Sequence, residues 1–123
     1  MYDTKPFQPL YGPNAGSAAG SFLSSLTITG SNSVAASAAL PGPASGSDLN
    51  QIQIANTTTA WAYVNVGRNT TEIVAATVAA SFPVAPGVSR TITVNSEVAA
   101  VSVIMGTAPG TNTAVIFTRG TGI

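Results

Sequence analysis

The sequence feature that most constrains the fold is a two-residue hydrophobic period within residues 48–67, DLNQIQIANTTTAWAYVNVG. Ile52 and Ile54 alternate with glutamines, and after an Asn-Thr-Thr-Thr break small aliphatic residues alternate with Trp61 and Tyr63. Such alternation is typical of a β-strand that buries one face, and clusters of Asn and Thr are typical of turns. We therefore predict a β-hairpin here, with Trp61 and Tyr63 on the face away from the small aliphatic residues.

The same alternation recurs between clusters of Gly, Pro, Asn and Ser, at the spacing of a sandwich or barrel. It predicts strands at residues 22–29, 91–94, 98–105 and 113–119, the third of which is covered on both faces. Residues 33–40 are Ala-rich and ambiguous, and only the neighbouring strands favour a strand there. Residues 71–82 are ambiguous because Val74 and Val78 have helical spacing, but their many β-branched neighbours favour a kinked strand. Residues 83–87 predict a turn, since Pro-Gly suits the centre of a type II turn.

These strands predict an all-β fold, an antiparallel β-sandwich of about eight strands with an extended N-terminal arm. Its topology is jelly-roll or immunoglobulin-like, and periodicity does not choose between the two. The apolar phase of each strand predicts the core, which consists of Leu26, Ile28, Ile52, Ile54, Val64, Val66, Ile92, Val94, Val101, Val103 and Ile116.

The N-terminal residues 1–21 differ in composition from residues 22–123, which form the predicted sandwich domain. They are rich in Pro and Gly and contain Tyr2, Phe7 and Tyr11. The prolines oppose a helix or a central strand, and aromatic residues are unusual in a disordered tail. We predict an extended arm that docks these aromatics on a neighbouring subunit, and a plain flexible tail is the alternative.

Charged residues make up only 7% of the chain, and the formal net charge is zero. Ordinary soluble domains have roughly 25% charged residues, and a net charge near zero favours self-association. We predict that partners cover much of the surface, or that Ser, Thr, Asn and Gln provide the solubility. A homo-oligomer follows, with a dimer favoured over a trimer because two-fold pairing is the commonest closed symmetry.

Composition also excludes most chemistry. The absence of His and Cys removes Ser-His-Asp and Cys-His catalysis, thiolate metal sites and disulfides. The four basic residues are scattered, so no nucleic-acid-binding patch is predicted, and the few carboxylates form no catalytic pair or calcium loop. We predict no enzyme activity, cofactor or metal. The Asn-x-Thr motifs at Asn56 and Asn69 are interpreted as ordinary turn residues.

The chain lacks the features of a secretory signal and a membrane span. Its N-terminus has no basic segment followed by an apolar run. Its longest apolar runs fall far below the roughly 20 residues that span a bilayer. We therefore predict no membrane contact, and synthesis in the cytoplasm or assembly into a particle made there.

Trp61 and Tyr63 admit three interpretations. They could pack in the core, anchor a protein interface, where Trp and Tyr are enriched, or stack on sugar rings. The alternation places both on one face of their strand but does not say what that face contacts.

Several segments together resemble the small structural proteins of tailed bacteriophages, over about residues 49–122. They are Ile52-Gln53-Ile54-Ala55-Asn56, Ala62-Tyr63-Val64-Asn65-Val66-Gly67, Pro83-Val84-Ala85-Pro86-Gly87 and Ile116-Phe117-Thr118-Arg119-Gly120. The chain is similar in style to capsid decoration, or cement, proteins. That resemblance implies a β-sandwich or jelly roll, no enzymatic activity, self-association, and binding to the major capsid protein on the virion exterior.

Under this reading the predicted partner-binding residues are Tyr2, Phe7, Tyr11, Trp61 and Tyr63. One alternative is a carbohydrate- or receptor-binding module of a phage fibre, with Trp61 and Tyr63 as the stacking platform. Another is an ice-binding protein, suggested by the Thr-x-Thr pairs at 27–29 and 91–93, although no repeat of fixed period supports it.

Overall fold

The computed structural model describes residues 8–9, 25–41, 50–95 and 97–121, with only the backbone given for residues 8, 9 and 121. All regular structure in this part of the chain is β-strand. The strands are β1 (Gln8–Pro9), β2 (Ser25–Thr29), β3 (Ala36–Ala39), β4 (Gln51–Asn56), β5 (Ala62–Gly67), β6 (Phe82–Val84), β7 (Ser89–Thr93), β8 (Ala100–Met105) and β9 (Ala114–Thr121).

The strands form two antiparallel sheets that pack face to face. In sheet A, β9 lies between β4 and the two strands β1 and β2, and β7 follows β4 at the other edge. Sheet B has the order β3-β8-β5-β6. The prediction of an all-β antiparallel sandwich of about eight strands is confirmed.

Strand pairing chooses the jelly roll over the immunoglobulin-like alternative. The pairs are nested: β2 with β9, β3 with β8, β4 with β7, and β5 with β6. Such nesting arises when one long antiparallel ribbon is rolled into two sheets, which is the jelly-roll arrangement. An immunoglobulin sandwich pairs several strands with their immediate successors, whereas here β5 and β6 alone do so among the described strands.

The predicted hairpin at residues 48–67 is wrong, although both of its strands exist. β4 pairs with β9 and β7 in sheet A, and β5 pairs with β8 and β6 in sheet B. The intervening residues 57–61 therefore cross from one sheet to the other. Both strands alternate because they bury one face in the same core from opposite sides, and a two-residue period does not specify the pairing partner.

The core between the sheets contains most of the predicted residues. Six are buried, namely Ile28, Ile52, Ile54, Val64, Val101 and Val103, and four pack against them partly buried, namely Leu26, Val66, Ile92 and Val94. Ile116 is the exception, because β9 turns Val115 and Phe117 inward instead. β9 has apolar residues in both phases, so its alternation is ambiguous, and the buried phase is the one that holds the larger Phe117.

The predicted kinked strand at residues 71–82 is also wrong, because only Phe82 at its end is in a strand. Residues 68–81, which we call the strap, instead cross the outer face of sheet B. The side-chain amide of Asn65 donates to the carbonyl of Val74 at 2.7 Å, and the N–H of Ala76 donates to Ser102 Oγ at 3.0 Å. The strap thereby covers β8 on its outer side, which confirms the expectation that this strand is buried on both faces.

The turn predicted at residues 83–87 is confirmed for residues 85–87, whereas Pro83 and Val84 belong to β6, and the turn predicted at Asn69 is also confirmed. Pro86 and Gly87 occupy the centre of a turn closed by the N–H of Val88 on the carbonyl of Ala85 at 3.2 Å, and Gly87 has a φ of +71°. A type II turn requires this positive φ, which glycine adopts without a steric penalty. Asn69 is a turn residue whose Oδ1 accepts backbone hydrogen bonds at the start of the strap.

The two described residues of the N-terminal segment pair with the chain's own sheet A. Gln8 and Pro9 pair with Thr121 and Gly120 of β9, whereas we expected the arm to run along a neighbouring subunit. An edge position tolerates Pro9, which lacks an N–H to donate. The remainder of the predicted arm, with Tyr2, Phe7 and Tyr11, lies outside the described residues.

Candidate binding surface

Four connections between strands meet at one end of the sandwich, which we call the turn end. They are residues 30–35, 57–61, 85–88 and 106–113. Backbone hydrogen bonds join them, since the N–H of Gly30 donates to the carbonyl of Thr113 at 2.7 Å and that of Gly106 donates to Trp61 at 2.9 Å. These two bonds join three of the connections, residues 30–35, 57–61 and 106–113, and residues 85–88 are attached through the backbone of Asn56.

Asn56, the last residue of β4, organises the crossing that reaches this end. It is only 2% exposed. Its Nδ2 donates to the carbonyls of Ala60 at 2.8 Å and Val84 at 3.1 Å. Its Oδ1 accepts hydrogen bonds from the N–H of Thr58 at 3.1 Å and from the Thr58 hydroxyl at 2.7 Å. The amide uses both its donors and its acceptor, so the corner between the two sheets has one fixed shape.

The backbone of Asn56 extends this network to the neighbouring turn. Its N–H donates to the carbonyl of Val88 at 3.1 Å, and its carbonyl accepts from the N–H of Gly87 at 2.9 Å. The interpretation of Asn56 as an ordinary turn residue is therefore wrong, because Asn56 is the last residue of β4 and its side chain is buried.

Trp61 projects from this fixed corner into solvent. The residue is 48% exposed, while Ala60 before it and Ala62 after it are buried. The core interpretation of Trp61 is therefore wrong. Val34 is 67% exposed and Val88 is 38% exposed. Of the five large hydrophobic side chains exposed in the described part of the chain, these three lie at the turn end.

Tyr63 is the second residue of β5, and its side chain lies on the same side of the chain as that of Trp61, as the alternation predicted. It is half-buried, opposite Ile104 of β8 and Pro83 of β6. A Cβ placed on Gly106 would be 3.1 Å from the Tyr63 ring, so the ring packs closely against this glycine. Tyr63 thus belongs partly to the outer face of sheet B, whereas Trp61 belongs to the turn end.

The four connections of the turn end contain no charged residue. The nearest charge along the chain is Arg90 on β7, whose guanidinium lies 5.2 Å from the centre of the Phe82 ring. Around Trp61 the surface consists of Ser, Thr, Asn, Gly, Pro, Ala and Val. A partner could bury Trp61 there without removing a charge of this chain from water, which is the costly step in forming a contact.

The threonines considered for ice binding do not form one ladder. Thr27 and Thr29 lie on β2, Thr91 and Thr93 lie on β7, and β9 and β4 separate these two strands. Glutamine, alanine and isoleucine residues of β4 and β9 interrupt the row of hydroxyl groups between them.

Arg119 is a buried residue that the sequence analysis missed. It is 1% exposed in the inward phase of β9, and burial lowers the pKa of its guanidinium from the ordinary value. Its Nη1 donates to the carbonyl of Pro41 at 3.3 Å and its Nη2 to that of Val98 at 2.9 Å. These bonds connect the loop after β3 to the loop before β8, at the end of the sandwich opposite Trp61. The sequence did contain a signal for the burial of Arg119, because it alternates in phase with Val115 and Phe117.

Within the residues that the structure describes, His, Cys, Asp and Glu side chains form no group of three that could hold a metal ion. The same part of the chain has no helix of the length and hydropathy required to cross a membrane.

Comparison with protein-family models gives no match, and comparison with curated proteins finds no significantly similar sequence. The resemblance to capsid decoration proteins therefore stays a prediction.

Proposed function

We propose that this chain is a non-enzymatic virion structural protein that binds the outside of a tailed-phage capsid and stabilises the shell. The turn end is the proposed contact with the major capsid protein. The observation that carries the proposal is Trp61, half exposed on a fixed corner within a surface that has no charge. Jelly rolls also occur in viral capsid proteins, but this fold hosts many functions, so the turn end, rather than the fold, supports the proposal.

The surface has the physical features of an interface centre. Tryptophan is among the residues that contribute most to protein binding, especially where small neutral contacts around it exclude water. The hydrogen bonds of Asn56 hold the corner before binding, so less conformational entropy is lost when Trp61 is buried. Because the turn end contributes no charged residue to the contact, we expect the binding affinity to be nearly independent of salt concentration.

Stabilisation of the shell would follow from mass action. A ligand that binds only the assembled state stabilises it by about 2.7 kcal/mol per site at a concentration 100 times the Kd. Many sites on one particle add their contributions, and self-association of neighbouring copies increases the avidity. No chemical step is required.

The experiment is co-sedimentation with empty capsids assembled from the major capsid protein of the proposed phage. We expect wild type to bind and Trp61→Ala to bind at least about 30-fold more weakly, which corresponds to roughly 2 kcal/mol. Thr91→Ala is the matched control, because this exposed residue lies on the outer face of sheet A. Equal binding by Trp61→Ala would reject the turn end as the docking surface, and failure of the wild type to bind would reject the function.

One observation favours a second candidate, a carbohydrate- or receptor-binding module of a phage fibre. An exposed indole among hydroxyl-bearing residues such as Thr107 and Thr111 could also stack on a sugar ring. A glycan array separates the two functions. Binding of a defined glycan that Trp61→Ala abolishes, without capsid binding, would favour the fibre module over the decoration protein.

A further inference from the structure

We propose that the strap is the surface through which two copies of this chain associate. Its apolar stretch, residues 73–80 with the sequence IVAATVAA, lies on the outside of sheet B. Val74 is 71% exposed and Val78 is 49% exposed. Ala75, Ala79 and Ala80 are exposed as well. This proposal concerns a surface different from the turn end and does not depend on what the turn end binds.

Exposure of this stretch is unusual because it is one of the longest apolar runs in the sequence. Contiguous apolar surface on a soluble domain commonly marks a contact site. One residue of the stretch, Ala76, is buried against sheet B. The neighbouring side chains of Val74 and Val78 are left exposed by the described part of the chain, and a second copy would cover them.

The backbone of the strap is also incompletely paired. Residues 73–77 run without a turn or bend. The carbonyl of Val74 and the N–H of Ala76 bond to sheet B, whereas neither backbone group of Ala75 has a hydrogen-bond partner within the described residues. An extended segment with open donors and acceptors can pair with an extended segment of another chain, as edge strands do.

The absence of charge points to a second copy as the occupant. Residues 73–81 contain no charged side chain, so a charged partner surface would lose hydration on this stretch without gaining an ion pair. An identical strap is equally neutral and apolar, and a two-fold axis brings the same patch together on both copies. In an antiparallel arrangement the two Glu72 side chains lie at opposite ends, which avoids like-charge repulsion.

The size of the strap sets the strength of the expected dimer. Residues 73–77, the five that run without a turn or bend, are roughly 17 Å long, and a width of about 10 Å gives on the order of 170 Å² per copy before the turn at residues 78–80 is included. Stable interfaces bury roughly 800 Å² per partner. We therefore expect a concentration-dependent monomer–dimer equilibrium, which becomes favourable where copies are held close together.

Sedimentation velocity of the full chain over a concentration series tests the proposal. We expect wild type to dimerise and the double variant Val74→Asp/Val78→Asp to have a dimer Kd raised at least tenfold. Val34→Asp is the matched control, because Val34 is similarly exposed, at 67%, but lies at the turn end. It should dimerise as wild type does. A monomeric wild type, an unaffected double variant, or an equally weakened control would each overturn the proposal.

A disulfide test locates the contact independently. The chain has no cysteine, so Ala75→Cys introduces one thiol at the centre of residues 73–77, the part of the strap without a turn or bend. Two-fold pairing places this residue near its own copy, and we expect air oxidation to give a covalent dimer several times faster than for Ser33→Cys, an exposed position at the turn end. Equal rates for the two variants would overturn the assignment of the interface to the strap.

Discussion

The side-chain amide of Asn56 donates a hydrogen bond to the backbone carbonyl of Ala60 at 2.8 Å, across the corner where the chain leaves sheet A and enters sheet B. Trp61 follows directly. The buried amide thus helps to fix the position from which the exposed indole projects, and it connects the core of the fold to the candidate binding surface.

The first prediction concerns that corner. Asn56→Ala removes both side-chain donors and leaves the buried carbonyls of Ala60 and Val84 without these partners. Each unsatisfied buried polar group costs about 1–3 kcal/mol, so we expect roughly 2–4 kcal/mol of destabilisation in urea unfolding. Asn69→Ala is the control, because Asn69 only caps a surface turn, and it should lose no more than about 1 kcal/mol. Similar losses in both variants would contradict the special role of Asn56.

The second prediction uses pH. Asn56→Asp places a carboxylate oxygen where a donor faces two carbonyls, so burial and repulsion should raise its pKa above the usual value of about 3.9. A group whose pKa is raised in the folded state is least harmful when protonated. We therefore expect the deficit relative to wild type to be smaller at pH 4 than at pH 7 in matched urea unfolding curves. A deficit that does not change with pH would show that the new side chain reaches solvent.

The sequence predicted which residues turn inward in most strands, because a two-residue period reports burial of one face directly. It did not predict pairing. Ser25 of β2 pairs with Thr118 of β9, far away in the sequence, and such long-range registers leave no local signal. The interpretation of residues 48–67 as a hairpin shows this limit, since both strands have the expected faces but lie in different sheets.

The candidate surface was predictable only in part. Alternation placed Trp61 and Tyr63 on the face away from the core residues Ala62 and Val64, and this is confirmed. Trp61 is more exposed than Tyr63 because β5 begins at Ala62, which leaves Trp61 in the turn end and Tyr63 on the sheet. This difference depends on how the strands and loops are arranged in three dimensions, which alternation does not show. The burial of Asn56 was not visible either, because a polar residue before Thr-Thr-Thr is typical of an ordinary turn.

The third prediction tests whether Ile54 of β4 faces the core while Ile116 of β9 faces away from it. Ile54 is fully buried, so Ile54→Ala should cost about 2–4 kcal/mol through lost burial and the resulting cavity. Ile116 lies on the outer phase of β9, and Ile116→Ala should cost clearly less, about 1 kcal/mol. Thermal unfolding of the two variants measures the difference, and equal melting temperatures would show that Ile116 belongs to the core.

The last prediction concerns the attachment of the strap. A Cβ on Gly67 would lie 2.7 Å from Ile73 Cγ1 and 3.0 Å from its Cα, so Gly67→Ala must push the strap outward. We expect a loss of about 1–3 kcal/mol and faster tryptic cleavage after Arg68, whose side chain is already 64% exposed. Gly87→Ala is the control, because its positive φ also costs stability but nothing lies within 4 Å of its Cβ position. That variant should lose stability without faster cleavage after Arg68. Unchanged cleavage in Gly67→Ala would mean that the strap remains in place by means other than its close approach to Gly67.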